Sequence, residues 1–134
     1  MNSNEVLFFS ADDSKSGREL WTIDFPIDDQ ENNNEAAGGE QNEDSENNNE
    51  SSSGNKNQDN SFLVRNIKPG KASSNPAFLH DHQGKIYFSA DNGKYGDEVW
   101  TSQGNNKSTK IFKDINKGHS SSSPSDFTSG KSLL

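Results

Sequence analysis

The stretch Val6–Thr22, VLFFSADDSKSGRELWT, recurs as Lys85–Thr101, KIYFSADNGKYGDEVWT, at a spacing of 79 residues. A second pair of segments, Leu63–Leu79 and Ile111–Phe127, recurs at a spacing of 48. The two spacings differ because a unit of 48 residues has been split once, by an insertion of about 31 residues. Internal periods of roughly 20–50 residues are typical of propellers and solenoids, so this repeat decides the fold.

The repeat divides the chain into two units and the opening of a third. The opening strands of the first unit, the insertion, the closing strand and turn of that unit, the second unit and a truncated third unit are predicted at 5–27, 28–61, 62–75, 76–123 and 124–134. Propeller rings typically contain four to eight blades, so two units cannot close one. We expect an incomplete ring, either a piece of a longer array or one of several copies that assemble together.

The inserted segment 28–61 differs in composition from the repeats. It contains ten Asp or Glu and one Lys, so it carries −9 and leaves +1 for the remainder of a chain whose net charge is −8. Its only apolar residues are Ala36 and Ala37. Such a segment cannot bury enough apolar surface to offset an ordering cost of roughly 1–2 kcal/mol per residue. We predict a disordered surface loop, with an acidic interaction tail as the less favoured alternative.

The second unit has the pattern of four short strands. The candidate strands are Pro76–Asp81, Lys85–Ala90, Asp97–Ser102 and Thr109–Ile115, joined by HQG, DNGKYG and QGNNK. Gly and Asn permit the positive φ angles of tight hairpins, so these joints predict an antiparallel meander. Apolar residues do not occur at helical spacing beside a capping signal, and no regular helix is expected.

The apolar residues predict sheets that are covered on both faces. Ile86, Phe88 and Ala90 share one face of their strand, and Tyr87 lies on the other. A sheet with one wet face alternates more cleanly, whereas stacked propeller blades are sandwiched by their neighbours. The predicted fold class is therefore all-β, with four-stranded antiparallel meanders that resemble propeller blades.

Several residues occupy equal positions in the two units. Trp21 and Trp100 correspond, as do Glu19 and Glu98, and packing between blades is favoured over a binding role for the tryptophans. In the turns between units, Ser73–Ser74 and Ser121–Ser122 are predicted to bond to nearby main-chain amides.

The sequence favours no catalytic, cofactor-binding or metal site. It has no nucleophile elbow, no HExxH pattern, no phosphate-binding loop, no dinucleotide fingerprint and no cysteine. His80 and His82 are expected on one face of a strand, but two imidazoles without a third ligand make a weak metal site, and surface roles are favoured for them and for His119.

The acidic turns allow a calcium alternative. Asp12–Asp13, Asp91–Asn92 and Gly96–Glu98 offer several oxygen atoms, and Ca²⁺ takes six to eight. Their spacing differs from that of an EF-hand loop, and Asp, Asn and Gly are ordinary hairpin residues. Nucleic acid is not an expected partner, because the repeats are nearly neutral and the insertion is acidic. No apolar run approaches the roughly 20 residues of a membrane span, and the N-terminus lacks the features of a signal peptide.

The chain resembles the bacterial ELWxxDGT repeat family, whose unit runs roughly GxLYFSADDGxxGxELWxSDGTxxGTxLVKDIxPGxxSSxPxxL. Gly84–Asn105 and Leu63–Pro76 carry this pattern, and Phe8–Trp21 repeats part of it. The DGT turn itself is replaced in both units, and Ser14 stands where the pattern has Gly. The resemblance implies propeller-like repeats of large bacterial proteins, often secreted or at the cell surface, with no defined biochemical activity.

These observations favour a non-enzymatic repeat module that serves in binding or structural spacing. Its expected partners are further blades of the same type, in the same chain or in a homo-oligomeric ring. Two alternatives stay open: a propeller that binds carbohydrate or calcium between its blades, and a truncated gene product without independent function.

Overall fold

The computed structural model describes residues 5–25 and 60–132. This part of the chain is all-β and contains no helix. Its seven strands are β1 (Glu5–Asp12), β2 (Arg18–Phe25), β3 (Ser61–Arg65), β4 (Ala77–His82), β5 (Lys85–Asp91), β6 (Asp97–Ser102) and β7 (Lys110–Lys113). The predicted all-β class is confirmed.

The strands form two antiparallel meanders. The first sheet has the order β1-β2-β3 and the second has the order β4-β5-β6-β7. Both share one register, because Phe9 lies opposite Trp21 in the first sheet and Phe88 lies opposite Trp100 in the second. Each sheet also has an irregularity directly before its tryptophan. The two sheets therefore share their strand direction and the pairing around the tryptophan, with three described strands in the first and four in the second.

The two sheets share one hydrophobic core. Its buried members are Leu20, Val64 and Ile67 of the first unit and Phe88, Ala90 and Trp100 of the second. Half-buried apolar side chains pack around them: Phe8, Leu79, Ile86 and Ile111. Because the cluster draws on both sheets, each sheet buries one face against the other.

The faces that meet are not the same face of the repeat. Phe8 and Leu20 of the first sheet point to the second sheet, and their counterparts at a spacing of 79 are Tyr87 and Val99. The second sheet presents the opposite face, which carries Phe88. The contact between the sheets is therefore head-to-tail.

Polar contacts also join the two units. The Lys68 Nζ lies 2.7 Å from an Asp91 carboxylate oxygen. The Asp91 amide donates to the Ser74 carbonyl oxygen at 2.9 Å, and an Arg65 guanidinium nitrogen donates to the Thr109 carbonyl oxygen at 2.5 Å. The first two contacts fix the turn between the units against the second sheet, and the third joins the end of β3 to the residue before β7.

The insertion connects β2 to β3. Residues 28–59 of the predicted disordered segment lie outside the described residues, whereas Asn60 and Ser61 are described and Ser61 begins β3. The Asp24 amide donates to the Asn60 carbonyl oxygen at 3.4 Å. The chain on either side of the insertion is thus brought together at one end of the first sheet.

Candidate functional site

A buried glutamate closes the turn of the first unit. Glu19 is fully buried on β2. Its carboxylate accepts hydrogen bonds from the amides of Ile67 at 2.9 Å, Lys68 at 3.4 Å and Ser74 at 3.2 Å. It also accepts the Ser74 hydroxyl at 2.5 Å. The loop between β3 and β4 is therefore tied to the middle strand of its sheet.

The second unit repeats this arrangement bond for bond. Glu98 is fully buried on β6. Its carboxylate accepts hydrogen bonds from the amides of Ile115 at 2.8 Å, Asn116 at 3.4 Å and Ser122 at 3.0 Å. It also accepts one from the Ser122 hydroxyl at 2.6 Å. Each donor lies 48 residues after its counterpart in the first unit. Both carboxylates are occupied by donors of their own unit, so these residues are structural.

The surroundings set the two glutamate pKa values apart. Burial raises the pKa of Glu19 above its ordinary 4.5, because the loss of water outweighs the hydrogen bonds led by Ser74. Burial acts in the same direction at Glu98, but the hydrogen bonds led by Ser122 outweigh it and lower that pKa below 4.5. The loop over Glu19 is itself covered by the second sheet through Asp91, whereas the loop over Glu98 has an exposed outer side.

A glycine lets each serine loop approach closely. Gly17 has a φ of +74°, and a Cβ there would lie 2.7 Å from the carbonyl carbon and oxygen of Ala72. Gly96, with a φ of +70°, would place a Cβ 2.7 Å from the Ser121 amide nitrogen. Both the backbone angle and the contact therefore require glycine.

The acidic turns use their oxygen atoms within the turn. Asp12 and Asp13 accept main-chain amides of residues 14–16 at 2.7–2.8 Å. Asp91 and Asn92 accept amides two or three positions ahead at 2.7–3.1 Å. These are Asx-type hairpin bonds, which explains why the turns are rich in Asp and Asn. Within residues 5–25 and 60–132, no group of three or more potential metal-ligating side chains is arranged to hold an ion.

The histidines of β4 meet one hydroxyl. His80 Nε2 and His82 Nδ1 each lie 2.8 Å from the Ser129 hydroxyl oxygen, which confirms that both rings share a face. His119 is exposed in the loop between β7 and the segment that follows. An open cleft of about 420 Å³ lies beside the pair, lined by His80, His82, Tyr87, Phe112, Phe127, Thr128, Ser129 and Gly130.

A second cleft lies between the two sheets, at the end where β1 approaches β4 and β5. It has a volume of about 640 Å³, and its lining combines apolar side chains with two carboxylates. The lining residues are Val6, Phe8, Thr22, Asp24, Asp81, Gly84, Ile86, Gln103 and Gly104. A ligand held between the two sheets would lie here, but the two carboxylates would repel an anion and the lining residues include no cation to balance one.

The outer face of the first sheet is the face that carries Leu7, Phe9 and Trp21. Phe88 and Trp100 hold the same repeat positions as Phe9 and Trp21, and the first unit buries them. Phe9 and Trp21 are only half-buried, and Leu7 is 51% exposed. The same residues are thus covered in one unit and open in the other.

The outer face of the second sheet is the face that carries His80, Tyr87 and Phe112. Phe112 is 59% exposed, whereas Val64, its counterpart 48 residues earlier, is 5% exposed. The Tyr87 and Phe112 rings contact edge to face at a centroid distance of 5.2 Å. The pair of sheets therefore has two different apolar outer faces. The residues at the same repeat positions on the inner faces, between the two sheets, are covered.

The glutamate and serine network is the feature that sequence reasoning missed. Ser74 and Ser122 were expected to bond to nearby amides, but their hydroxyls donate to glutamates 55 and 24 residues away. The adjacent Ser73 and Ser121 do accept amides, those of the residues that begin β2 and β6. The available signal was that glutamate and serine recur together in both units.

Comparison with protein-family models, with curated proteins and with solved structures found no match to this chain. In the described part of the chain, no helix has the length and apolar character needed to cross a membrane.

Proposed function

We propose that this chain is a non-enzymatic, propeller-like repeat module of the ELWxxDGT type that serves in binding or structural spacing. It works by stacking: each sheet lies head-to-tail on another sheet of the same kind. The further sheets belong to a longer array or to identical copies arranged in a ring.

The observation that carries this proposal is the difference in burial at equal repeat positions. Trp100 is 4% exposed beneath the first sheet, while Trp21 is half-buried on the outer face of the first sheet. Val64 is buried against the second sheet, while Phe112 stands open on the outer face of the second sheet. Exposed apolar patches of this kind mark interaction sites.

The geometry of the existing contact indicates how further sheets would be added. Heterologous contacts leave one free surface of each type, so they can be repeated until a ring closes or a filament grows. The outer face of the second sheet has the same repeat positions as the surface that already packs inside the pair. A further first sheet, which presents Phe9 and Trp21, would therefore meet the kind of surface that Phe88 and Trp100 meet inside the pair.

The proposal assigns no catalytic role. The two buried carboxylates accept four hydrogen bonds each from their own loops, and the His80 and His82 rings are both hydrogen-bonded to the Ser129 hydroxyl. A general base must be able to reach a substrate proton. Glu19 and Glu98, without exposed surface, do not meet this requirement.

Charged variants of the two outer faces test the proposal. Leu7→Glu places a charge on the outer face of the first sheet, and Phe112→Glu places one on the outer face of the second. Each contact between copies needs one face of each kind, so either variant alone should lower the mass of the assembly in solution. Phe62→Glu is the matched control, because Phe62 is 55% exposed but lies on the side of the first sheet that is already covered.

Mixing the two variants gives the sharper result. A Leu7→Glu copy keeps the outer face of its second sheet, and a Phe112→Glu copy keeps that of its first sheet. Head-to-tail stacking predicts that the mixture forms heterodimers that neither variant forms alone. If both variants retain the original mass, or if Phe62→Glu dissociates the assembly equally, the stacking proposal is wrong.

A further inference from the structure

The strand β1 has an open edge. Among the described residues β1 pairs only with β2, whereas its counterpart β5 lies between β4 and β6. One row of backbone donors and acceptors on β1 is therefore without a strand partner in the described part of the chain. An edge of this kind is a template for pairing with another chain.

The segment 124–130 occupies the repeat position of β4, although it belongs to no sheet among the described residues. It lies 48 residues after 76–82, which contains β4. The backbone enters both segments in the same way: φ is +51° at Asn75 and at Ser123, and it is +56° at Phe78 and +53° at Asp126. The segment 124–130 thus begins with the same backbone conformation as the segment that contains β4, but it has no strand partner within the described residues.

The anchoring of the two segments is also the same. The amides of Ser74 and Asn75 both donate to the Arg18 carbonyl oxygen, at 3.0 and 3.2 Å. The amides of Ser122 and Ser123 donate to the Asp97 carbonyl oxygen at the same two distances. The second unit therefore positions the start of 124–130 in the same way as the first unit positions the start of β4.

The segment 124–130 lies on the outer face of the second sheet. The Ser129 hydroxyl contacts both histidines of β4, and Phe127 lines the cleft with Tyr87 and Phe112. This is the surface on which a third sheet would lie if the stacking continued. The segment is in the place of that sheet's first strand.

We infer that 124–130 of one copy pairs with β1 of a second copy, so that the third sheet is shared between two molecules. This inference rests on the proposed head-to-tail stacking and adds to it the partner and the strand order. The shared sheet has four strands: 124–130 of the first copy, followed by β1, β2 and β3 of the second.

The repeat fixes the register of this pairing. In the second unit Ala77 lies opposite Ser89, and the next paired residues are His80 with Tyr87, Asp81 with Ile86 and His82 with Lys85. Moving the β4 residues forward by 48 and the β5 residues back by 79 gives the pairs between copies. They are Ser125 with Ser10, Thr128 with Phe8, Ser129 with Leu7 and Gly130 with Val6.

One placement of the second copy covers the open edge of β1 and one outer face of each copy. Pairing β1 with 124–130 turns the outer face of the incoming first sheet toward the outer face of the second sheet. Leu7, Phe9 and Trp21 are then covered as their counterparts are covered inside the pair, and Tyr87 and Phe112 receive an apolar neighbour. A partner of unrelated sequence would not share this register.

Cysteine pairs test the register directly, because the natural chain contains no cysteine. Residues directly opposite in an antiparallel pair have Cβ atoms about 4.5–5.5 Å apart, which is close enough for a disulfide after a small adjustment. Full-length Leu7→Cys, carrying a mass tag, is mixed with full-length Ser129→Cys under mild oxidation. The control mixture contains Leu7→Cys and Thr128→Cys, because Thr128 points to the other side of the strand.

The expected result is a disulfide-linked heterodimer in the first mixture and several-fold less in the control. Equal yields in both mixtures, or no heterodimer in either, would overturn the strand pairing. If light scattering still detects dimers or larger species in that case, the copies stack without sharing a strand and the proposed function survives. If only monomers are present, both proposals are wrong.

Discussion

At the scale of single residues, the carboxylate of Glu98 holds its loop only while both oxygens accept. In Glu98→Gln an NH₂ group replaces one oxygen and faces an N–H or O–H donor, so buried donors lose their acceptor. We expect the free energy of unfolding to fall by about 1–3 kcal/mol, as measured by urea denaturation. Glu5→Gln, at an exposed position, is the control and should change little. Equal effects would mean that the hydrogen bonds of Glu98 do not stabilise the loop.

The opposite pKa shifts of the two glutamates predict opposite effects on the pH dependence of stability. Glu98 has a lowered pKa, so its contribution is present above pH 4.5 and is lost as the pH falls through its folded value. Glu19 has a raised pKa, so its contribution is present below pH 4.5 and is lost as the pH rises through its folded value.

Melting temperatures between pH 3 and pH 7 would measure these contributions. Glu98→Gln should reduce the loss of stability on acidification, and Glu19→Gln should reduce the loss on raising the pH above about 4.5. Parallel profiles for the two variants would contradict the assigned directions.

At the scale of elements, the contact between a hairpin and the following loop depends on glycine. Gly96→Ala adds a methyl group 2.7 Å from the Ser121 amide nitrogen in addition to the cost of a positive φ. Gly84→Ala is a matched control, because Gly84 has a φ of +75° and no atom within 4 Å of its Cβ position. Gly84→Ala should lower the free energy of unfolding by about 1–2 kcal/mol. Gly96→Ala should cost clearly more in chemical denaturation, and equal costs would mean that the loop does not press on this site.

The strands of the second unit could be predicted almost to the residue. Asp97–Ser102 matches β6, and Lys85–Ala90 is one residue shorter than β5. Alternation and Gly- or Asn-bearing turns are local signals, which is why they sufficed. The last strand was predicted too long, as Thr109–Ile115 rather than Lys110–Lys113. The chain leaves the sheet early because the Ile115 amide turns to Glu98, a contact that no local pattern reveals.

The glutamate network and the open faces show where sequence reasoning stopped. The sequence predicted apolar bulk on both faces, and Phe88 and Tyr87 confirm that both faces of β5 carry aromatic rings. It could not predict which faces meet, because two equal units are compatible with several packings. That Glu19 binds Ser74 depends on a loop closing over 55 residues, which is a tertiary contact.

At the scale of the whole molecule, the insertion should contribute little to stability. Asp24 and Asn60 are already joined by a hydrogen bond, so a short turn can replace 28–59. Loop-closure cost grows slowly with length, and a turn of about four residues should stabilise the fold by at most about 2 kcal/mol. Thermal melting of the deletion variant should therefore give an unchanged or slightly higher midpoint. A large decrease would mean that the insertion packs against the sheets.

The central claim is that these sheets require neighbours of their own kind on both outer faces. The most direct measurement is the mass of the unmodified chain in solution, by light scattering over a range of concentrations, with its folding checked by circular dichroism. We expect a folded species whose mass is a multiple of 14.7 kDa and falls on dilution. A folded monomer of 14.7 kDa at every concentration would contradict the claim.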